Sequence, residues 1–260
     1  MTPVEYQQWL DETVTRLALE DAVIGVVAMG STANRSRTDE WSDHDIAIVV
    51  AEGSEAQFRG DVSWMANHES VVDVVTEHHG GCRALFADGH LVEWGVASLQ
   101  DFATWYASDC AVLLDRGGVS DVVAQIAVKP FPPSEGSFER DLSLFFMTIL
   151  HGCGRLRRGE TISANAIIRG AAVEHLVRAA RATVPSRSLD GDRLDSLRRV
   201  ENAMPDFAAQ LAECLVGDLE GTALALVDLV EACWAGADNR FPAATLKVVR
   251  DRLGWTESAG

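Results

Sequence analysis

Residues 24–50 read IGVVAMGSTANRSRTDEWSDHDIAIVV, and the reading of this stretch decides the fold. An apolar run from Ile24 to Met29 ends on Gly30-Ser31. A polar loop, residues 32–42, leads to Asp43-His44-Asp45, and a second apolar run follows from Ile46 to Val50. Two short apolar runs joined by a polar loop read as neighbouring strands. Side chains alternate across a strand, so Asp43 and Asp45 project from one face and His44 from the other. Carboxylates held side by side at a strand mouth repel one another unless a cation lies between them. Mg²⁺ suits such a pair, because it usually takes one or two carboxylates together with substrate phosphates. Gly30 permits a close backbone approach, and Ser31 offers a hydroxyl and an amide. The stretch reads as a phosphate-plus-metal site.

These residues resemble the signature of the nucleotidyltransferase superfamily, the DNA polymerase β-like enzymes: Gly-Ser, a spacer, then Asp-x-Asp on the next strand. They look most like the antibiotic-modifying branch, the aminoglycoside and lincosamide nucleotidyltransferases. Residues 39–46, DEWSDHDI, are similar to that branch's Ser-Asp-x-Asp/Glu stretch. Residues 112–118, VLLDRGG, resemble a strand-Asp-turn stretch of the lincosamide enzymes. Residues 156–160, LRRGE, resemble their basic-basic-Gly-Glu turn between two long helices. The resemblance implies transfer of a nucleoside monophosphate from ATP or another NTP, with two Mg²⁺ ions.

Composition bounds the answer. The chain has 260 residues, of which 47% are hydrophobic and 23% charged, so it is globular with ample core. No apolar stretch approaches the roughly 20 residues that span a bilayer. The N-terminus, MTPVEYQQWLDE, lacks the basic and apolar regions of a signal peptide. Thr2-Pro3-Val4-Glu5 reads instead as a capping box with Pro at the first helical position. Five cysteines without metal-ligand spacing fit free thiols and a cytoplasmic location.

The net charge of −17 is uneven. Residues 1–136 carry 22 acidic and 7 basic side chains, whereas residues 137–260 carry 17 and 15. An acidic first half argues against nucleic acid as a partner, since phosphate neutralisation needs clustered Lys and Arg. It favours a cationic acceptor.

A helix is expected over 3–20, strands over 23–29 and 44–50, and a short helix over 54–66. Strands follow over 71–75, 91–96 and 111–115, with a short helix over 101–107 between the last two. Residues 130–136, PFPPSEG, read as a linker, because Pro continues neither a helix nor a central strand. Beyond it only helical patterns appear, over 137–157, 162–182, 190–214, 218–235 and 242–253, punctuated by Gly159, Pro185, Gly217 and Gly236. The expected architecture is an α/β nucleotidyltransferase domain with a mixed sheet (1–129), a linker (130–136) and an all-α helical bundle (137–260) that shapes the acceptor pocket.

Two-metal phosphoryl chemistry needs a further carboxylate from a neighbouring strand. Glu93 is the candidate, because it lies between Val92 and Trp94 in an apolar run where an unpaired charge would be costly. Asp88 is the fallback, although Asp88-Gly89 reads as a turn. In the family that Glu93 resembles, such a residue serves as general base, here also within reach of a metal. Arg35, Arg157 and Arg158 are candidate triphosphate ligands beside Gly30 and Ser31, with Arg37, Arg155 and Arg169 as weaker ones. Asp115 reads as a turn cap, and His44, His78 and His79 as structural. P-loop, Rossmann and serine-hydrolase motifs are missing.

The expected reaction is Mg²⁺-dependent transfer of AMP from ATP to a hydroxyl of a small, cationic, aminoglycoside-type acceptor. Asp43 and Asp45 would bind metal, Glu93 would be the base, and neither nucleic acid nor membrane would take part. Some relatives pair through their helical domains, so a homodimer is compatible. The alternatives are a lincosamide acceptor, a protein or tRNA acceptor, and a catalytically silent nucleotide-binding relative.

Overall fold

The structure is a computed structural model and describes residues 1–107, 109–129, 137–184 and 195–255. The chain divides into two compact units, Met1–Phe131 and Pro132–Gly260. The expected linker, residues 130–136, lies outside the described residues, as do Pro185 and residues 190–194.

The first unit opens with helix α1, Pro3–Leu17. Its start is the anticipated capping box: Thr2 Oγ1 accepts the Glu5 N–H, while Glu5 Oε2 accepts the Thr2 N–H at 2.7 Å. Six strands follow, β1 (Val23–Met29), β2 (His44–Val50), β3 (Val71–Thr76), β4 (Cys82–Phe86), β5 (Leu91–Ser98) and β6 (Cys110–Asp115). They form one sheet in the order β3-β4-β5-β2-β1-β6. The β2–β5 pair is parallel and the other four are antiparallel, so the sheet is mixed.

Strand alternation sorts the core into two layers. Val26, Ile46, Ile48, Val92, Trp94 and Val96 pack with Trp9, Leu10 and Leu17 of α1. Val27, Ala47, Val49 and Ala97 face the other way, toward Phe102, Val119, Val122 and Ile126. These last residues belong to two short helices, α4 (Leu99–Phe102) and α5 (Val119–Val128), taking Gly30–Ala33 as α2 and Glu55–Gly60 as α3. Burying side chains the size of Ile46 or Ile48 stabilises the unit by about 1.5–3 kcal/mol each.

Several expectations change. The helix expected over 54–66 stops at Gly60, where Asp61 accepts the Ser63 N–H and turns the chain. Strand β4 was not anticipated, although Cys82, Ala84 and Phe86 are buried while Arg83 and Leu85 are exposed. The helix expected over 101–107 lies at α4 instead, because Ser98 Oγ accepts the Asp101 N–H and caps it there. Helix α5 also goes beyond the sequence reading. Asp115 accepts the Ser120 hydroxyl and the Ser120, Gly117 and Val119 amides ahead of it, and these bonds, the hydroxyl foremost, pull the carboxyl down to about 2.

Among the described residues the regular structure of the second unit is all helical: α6 (Phe138–Arg157), α7 (Thr161–Ala166), a π-helical stretch (Ile167–Ala172), α8 (Val173–Arg181), α9 (Val200–Ala203), α10 (Pro205–Cys214), α11 (Leu219–Trp234) and α12 (Ala243–Leu253). One helix over 190–214 is therefore incorrect for its described part. Pro205 has no N–H to continue a helix and excludes Met204, at φ −139 and ψ 63, from the helical region. Among the described residues no helix is long and apolar enough to cross a membrane.

Candidate active site

Parallel pairing of β2 with β5 sets Asp45 directly beside Glu93. Asp45 alternates with Ile46 and Glu93 with Trp94, so both carboxylates stand on the face away from α1. Their strands are about 4.8 Å apart, the ordinary spacing within a sheet.

Gly30 closes the third side. It follows β1 as the first residue of α2, with φ +54, and donates its N–H to the Asp109 carbonyl at 3.1 Å. A Cβ on Gly30 would lie 3.4 Å from Asp45 Oδ2. Glycine is thus favoured by the left-handed backbone, and a Cβ here would come into van der Waals contact with the carboxylate. Ser31 follows on α2 and is half-buried. Asp43 sits one residue ahead of β2, and its carbonyl accepts the Tyr6 hydroxyl at 2.7 Å.

Tyr6 and Thr32 were not anticipated as site residues, since Tyr6 reads in sequence only as part of the apolar stripe of α1. Their hydroxyls meet at 2.8 Å, and Thr32 Oγ1 accepts the Asp45 N–H at 2.8 Å. Burial pushes the Tyr6 phenol up to about 12, with the charges of Asp43 and Asp45 adding to the rise against the Thr32 hydrogen bond.

His44 faces the α1 side, fully buried, with its ring stacked 3.6 Å from that of Tyr6. Its Nε2 donates to the Tyr6 carbonyl at 3.0 Å, which leaves Nδ1 to accept from His90 Nε2 at 2.7 Å. Burial lowers His44 to about 3 and His90 to about 4, and both nitrogens of His44 are taken up by the Tyr6 carbonyl and His90 on the side away from the carboxylates.

On the carboxylate face, Glu93 Oε1 is 3.0 Å from Arg83 Nε, and the same nitrogen is 3.1 Å from Glu77 Oε1. Glu77 also pairs with His79. A cavity of about 510 Å³ opens here, with Asp45, Glu93, Asp101, Arg59 and Trp105 in its wall. The Trp105 ring lies against Gly95, where a Cβ would meet it at 2.3 Å.

Among the described residues no three His, Cys, Asp or Glu side chains gather closely enough to hold an ion by themselves. The donor set still fits Mg²⁺, which needs few carboxylates when triphosphate oxygens complete its shell. The Cβ missing at Gly30 keeps the space beside Asp45 Oδ2 clear.

The candidate cations are distributed differently. Arg35 is exposed in the loop after α2, whereas Arg37 pairs with Asp109 at 2.7 Å. Arg157 and Arg158 belong to the helical unit. There Arg157 bonds Glu220 at 3.0 Å and the Leu253 carbonyl at 2.7 Å, and Arg158 bonds Glu160 at 2.9 Å. Arg155 shares Glu160, and Arg169 bonds Thr222 and the Gly217 carbonyl.

The Gly30-Ser31 turn thus stands beside the Asp45–Glu93 pair on a mixed sheet. A family model described as streptomycin adenylyltransferase matches residues 5–188, and the chain belongs to that family. Membership makes it a nucleotidyltransferase. No curated protein matches the sequence. Two solved structures are distantly similar. An aminoglycoside 6-adenyltransferase from Bacillus subtilis is 14% identical, with a TM-score of 0.34 over 96% of this chain and 92% of that one. A nucleotidyltransferase-like protein from Exiguobacterium sibiricum is also 14% identical, with a TM-score of 0.36 over 95% of this chain and 80% of that one.

Proposed function

We propose that the chain transfers AMP from ATP to a hydroxyl of a small cationic acceptor of the aminoglycoside type. The observation that carries this reading is Asp45 in register with Glu93, with Gly30 against the Asp45 carboxylate. Gly30 and Ser31 bind the terminal phosphates, with Arg35 as a further contact. Asp43 and Asp45 would hold Mg²⁺, which when bound supplies neutralisation of the triphosphate charge. Glu93, oriented by Arg83, takes the proton of the acceptor hydroxyl. The hydroxyl oxygen bonds to the α-phosphorus as the bond to the bridging oxygen breaks, and pyrophosphate leaves. Positioning of the two reactants supplies much of the acceleration.

The acceptor class rests on charge and size. The first 136 residues hold 22 acidic against 7 basic side chains, which draws cations. A cavity of about 510 Å³ suits a small molecule. The test incubates the protein with Mg²⁺ and each NTP against aminoglycosides, spectinomycin and lincosamides, following pyrophosphate. Release with one drug, and a mass gain of one NMP on it, is the expected result. Silence across the panel, with Mg²⁺-dependent ATP binding intact, would remove the aminoglycoside-type acceptor and move the acceptor role to a protein, a tRNA or an untested metabolite.

A further inference from the structure

The strand that carries the carboxylates is gripped from behind by a closed ring of hydrogen bonds. Asp45 donates its N–H to Thr32 Oγ1 at 2.8 Å, and Tyr6 donates its hydroxyl proton to the Asp43 carbonyl at 2.7 Å. Tyr6 has only that one proton, so the 2.8 Å contact between the two hydroxyls runs from Thr32 to Tyr6. Every donor points the same way around the ring, from Asp45 through Thr32 and Tyr6 to Asp43, and the backbone of Asp43-His44-Asp45 closes it. Each hydroxyl is used as both donor and acceptor. Thr32 is 3% and Tyr6 5% exposed, and in such surroundings aligned hydrogen bonds strengthen one another.

The ring joins two segments that the reaction needs in fixed relation. Thr32 immediately follows Ser31 and so belongs to the Gly30-Ser31 turn, whereas Asp43 and Asp45 belong to the mouth of β2. Tyr6 adds a second hold on this mouth, through its ring on His44 and its carbonyl on His44 Nε2. A core that only needed packing would be served by Phe at 6 and Val at 32.

We propose that Tyr6 and Thr32 are positioning residues, which hold the phosphate-binding turn and the metal-binding carboxylates in one register for the metal–nucleotide complex. This rests on the function proposed above. Neither residue touches the reacting atoms, so the readout is binding and not turnover alone. Thr32→Val is nearly isosteric and removes the hydroxyl, Thr32→Ser retains it, and Tyr6→Phe removes one oxygen while keeping the ring on His44.

Calorimetric titration with Mn·ATP, at a temperature where each variant is folded by near-ultraviolet circular dichroism, separates the possibilities. Thr32→Val and Tyr6→Phe are expected to weaken Mn·ATP about tenfold, the scale of one net hydrogen bond, and Thr32→Ser by less than about threefold. Unchanged affinity in folded Tyr6→Phe and Thr32→Val, with only a lower melting temperature, would overturn the proposal while leaving the function intact. A wild-type protein that does not bind Mn·ATP would remove both. Should Thr32→Val not fold, Tyr6→Phe carries the same test.

Discussion

Asp45 and Glu93 are register partners on adjacent parallel strands, and this single pairing determines what the sheet can do. The β2–β5 pair is parallel in an otherwise antiparallel sheet, so β2 and β5 both begin at the same edge. A carboxylate near the start of each strand therefore falls beside the other. A slip of one residue in this pairing would send Glu93 to the α1 side, against Trp9 and Ile46, and turn Trp94 out of the core.

The two carboxylates should fail differently when changed. Asp45→Asn keeps size and hydrogen-bonding capacity but loses the charge that holds a cation. Turnover is expected to fall by about 10²–10⁴-fold with little change in melting temperature. Glu93→Gln is expected to retain Mg²⁺-dependent ATP binding and to lose transfer by a similar factor. Pyrophosphate release at the wild-type rate in Asp45→Asn would exclude the metal role, and persistent transfer in Glu93→Gln would move the base elsewhere.

Gly30→Ala tests the turn. Its φ of +54 is unfavourable for a residue with a Cβ by about 1–2 kcal/mol, and the new methyl would lie in contact with Asp45 Oδ2 at 3.4 Å, in space open beside the carboxylate. Melting should drop by a few degrees, and the KM for nucleotide should rise while the KM for acceptor changes little. Equal changes in both KM values would mean that Gly30 serves the fold and not the nucleotide.

The sequence displayed this edge clearly because its signals are local. Apolar runs bounded by Gly30-Ser31 and by Asp43-His44-Asp45 locate β1 and β2, and an acidic residue inside an apolar strand singles out Glu93. What it did not display depends on distant partners. Tyr6 lies 37 residues from the Asp43 carbonyl that it bonds, and nothing in α1 announces that contact. Arg83 carries no local signal either, because its short strand follows the His78-His79-Gly80-Gly81 loop with little apolar pattern of its own. Helix α5 is hidden in the sequence because its apolar residues directly follow the Gly117-Gly118 turn. In the helical unit, a continuous pattern hid the break at Met204-Pro205.

Gly95→Ala addresses the cavity wall. The added carbon would sit 2.3 Å from the Trp105 ring, so the indole must move or the strand must yield. Overpacking of this kind costs about 1–3 kcal/mol. Urea denaturation should show that loss, and the Trp105 emission should shift as the ring leaves β5; a Gly95→Ala, Trp105→Leu double variant should recover stability relative to Gly95→Ala. No loss in the single variant would show that Trp105 does not rest on Gly95 in solution.

Acid should loosen the first unit through His44 and His90. Both rings titrate near 6.5 when unfolded, but burial lowers them to about 3 and about 4 in the folded chain. Below pH 6.5 the unfolded chain therefore takes up protons that the folded chain refuses, and stability declines as the pH falls toward those lower values. Above 6.5 neither state is protonated at these rings, so their contribution to stability is then complete. Between about pH 7 and about pH 5 each histidine should contribute a loss on the order of 1–2 kcal/mol. His90→Gln removes one of the two titrations and gives His44 Nδ1 an amide donor in place of the ring. Denaturation at both pH values should show a smaller decline in this variant than in the wild type. An identical decline would mean that His90 titrates alike in the folded and unfolded chain, and a steeper one that the fold holds it protonated, and either would remove the depressed His90.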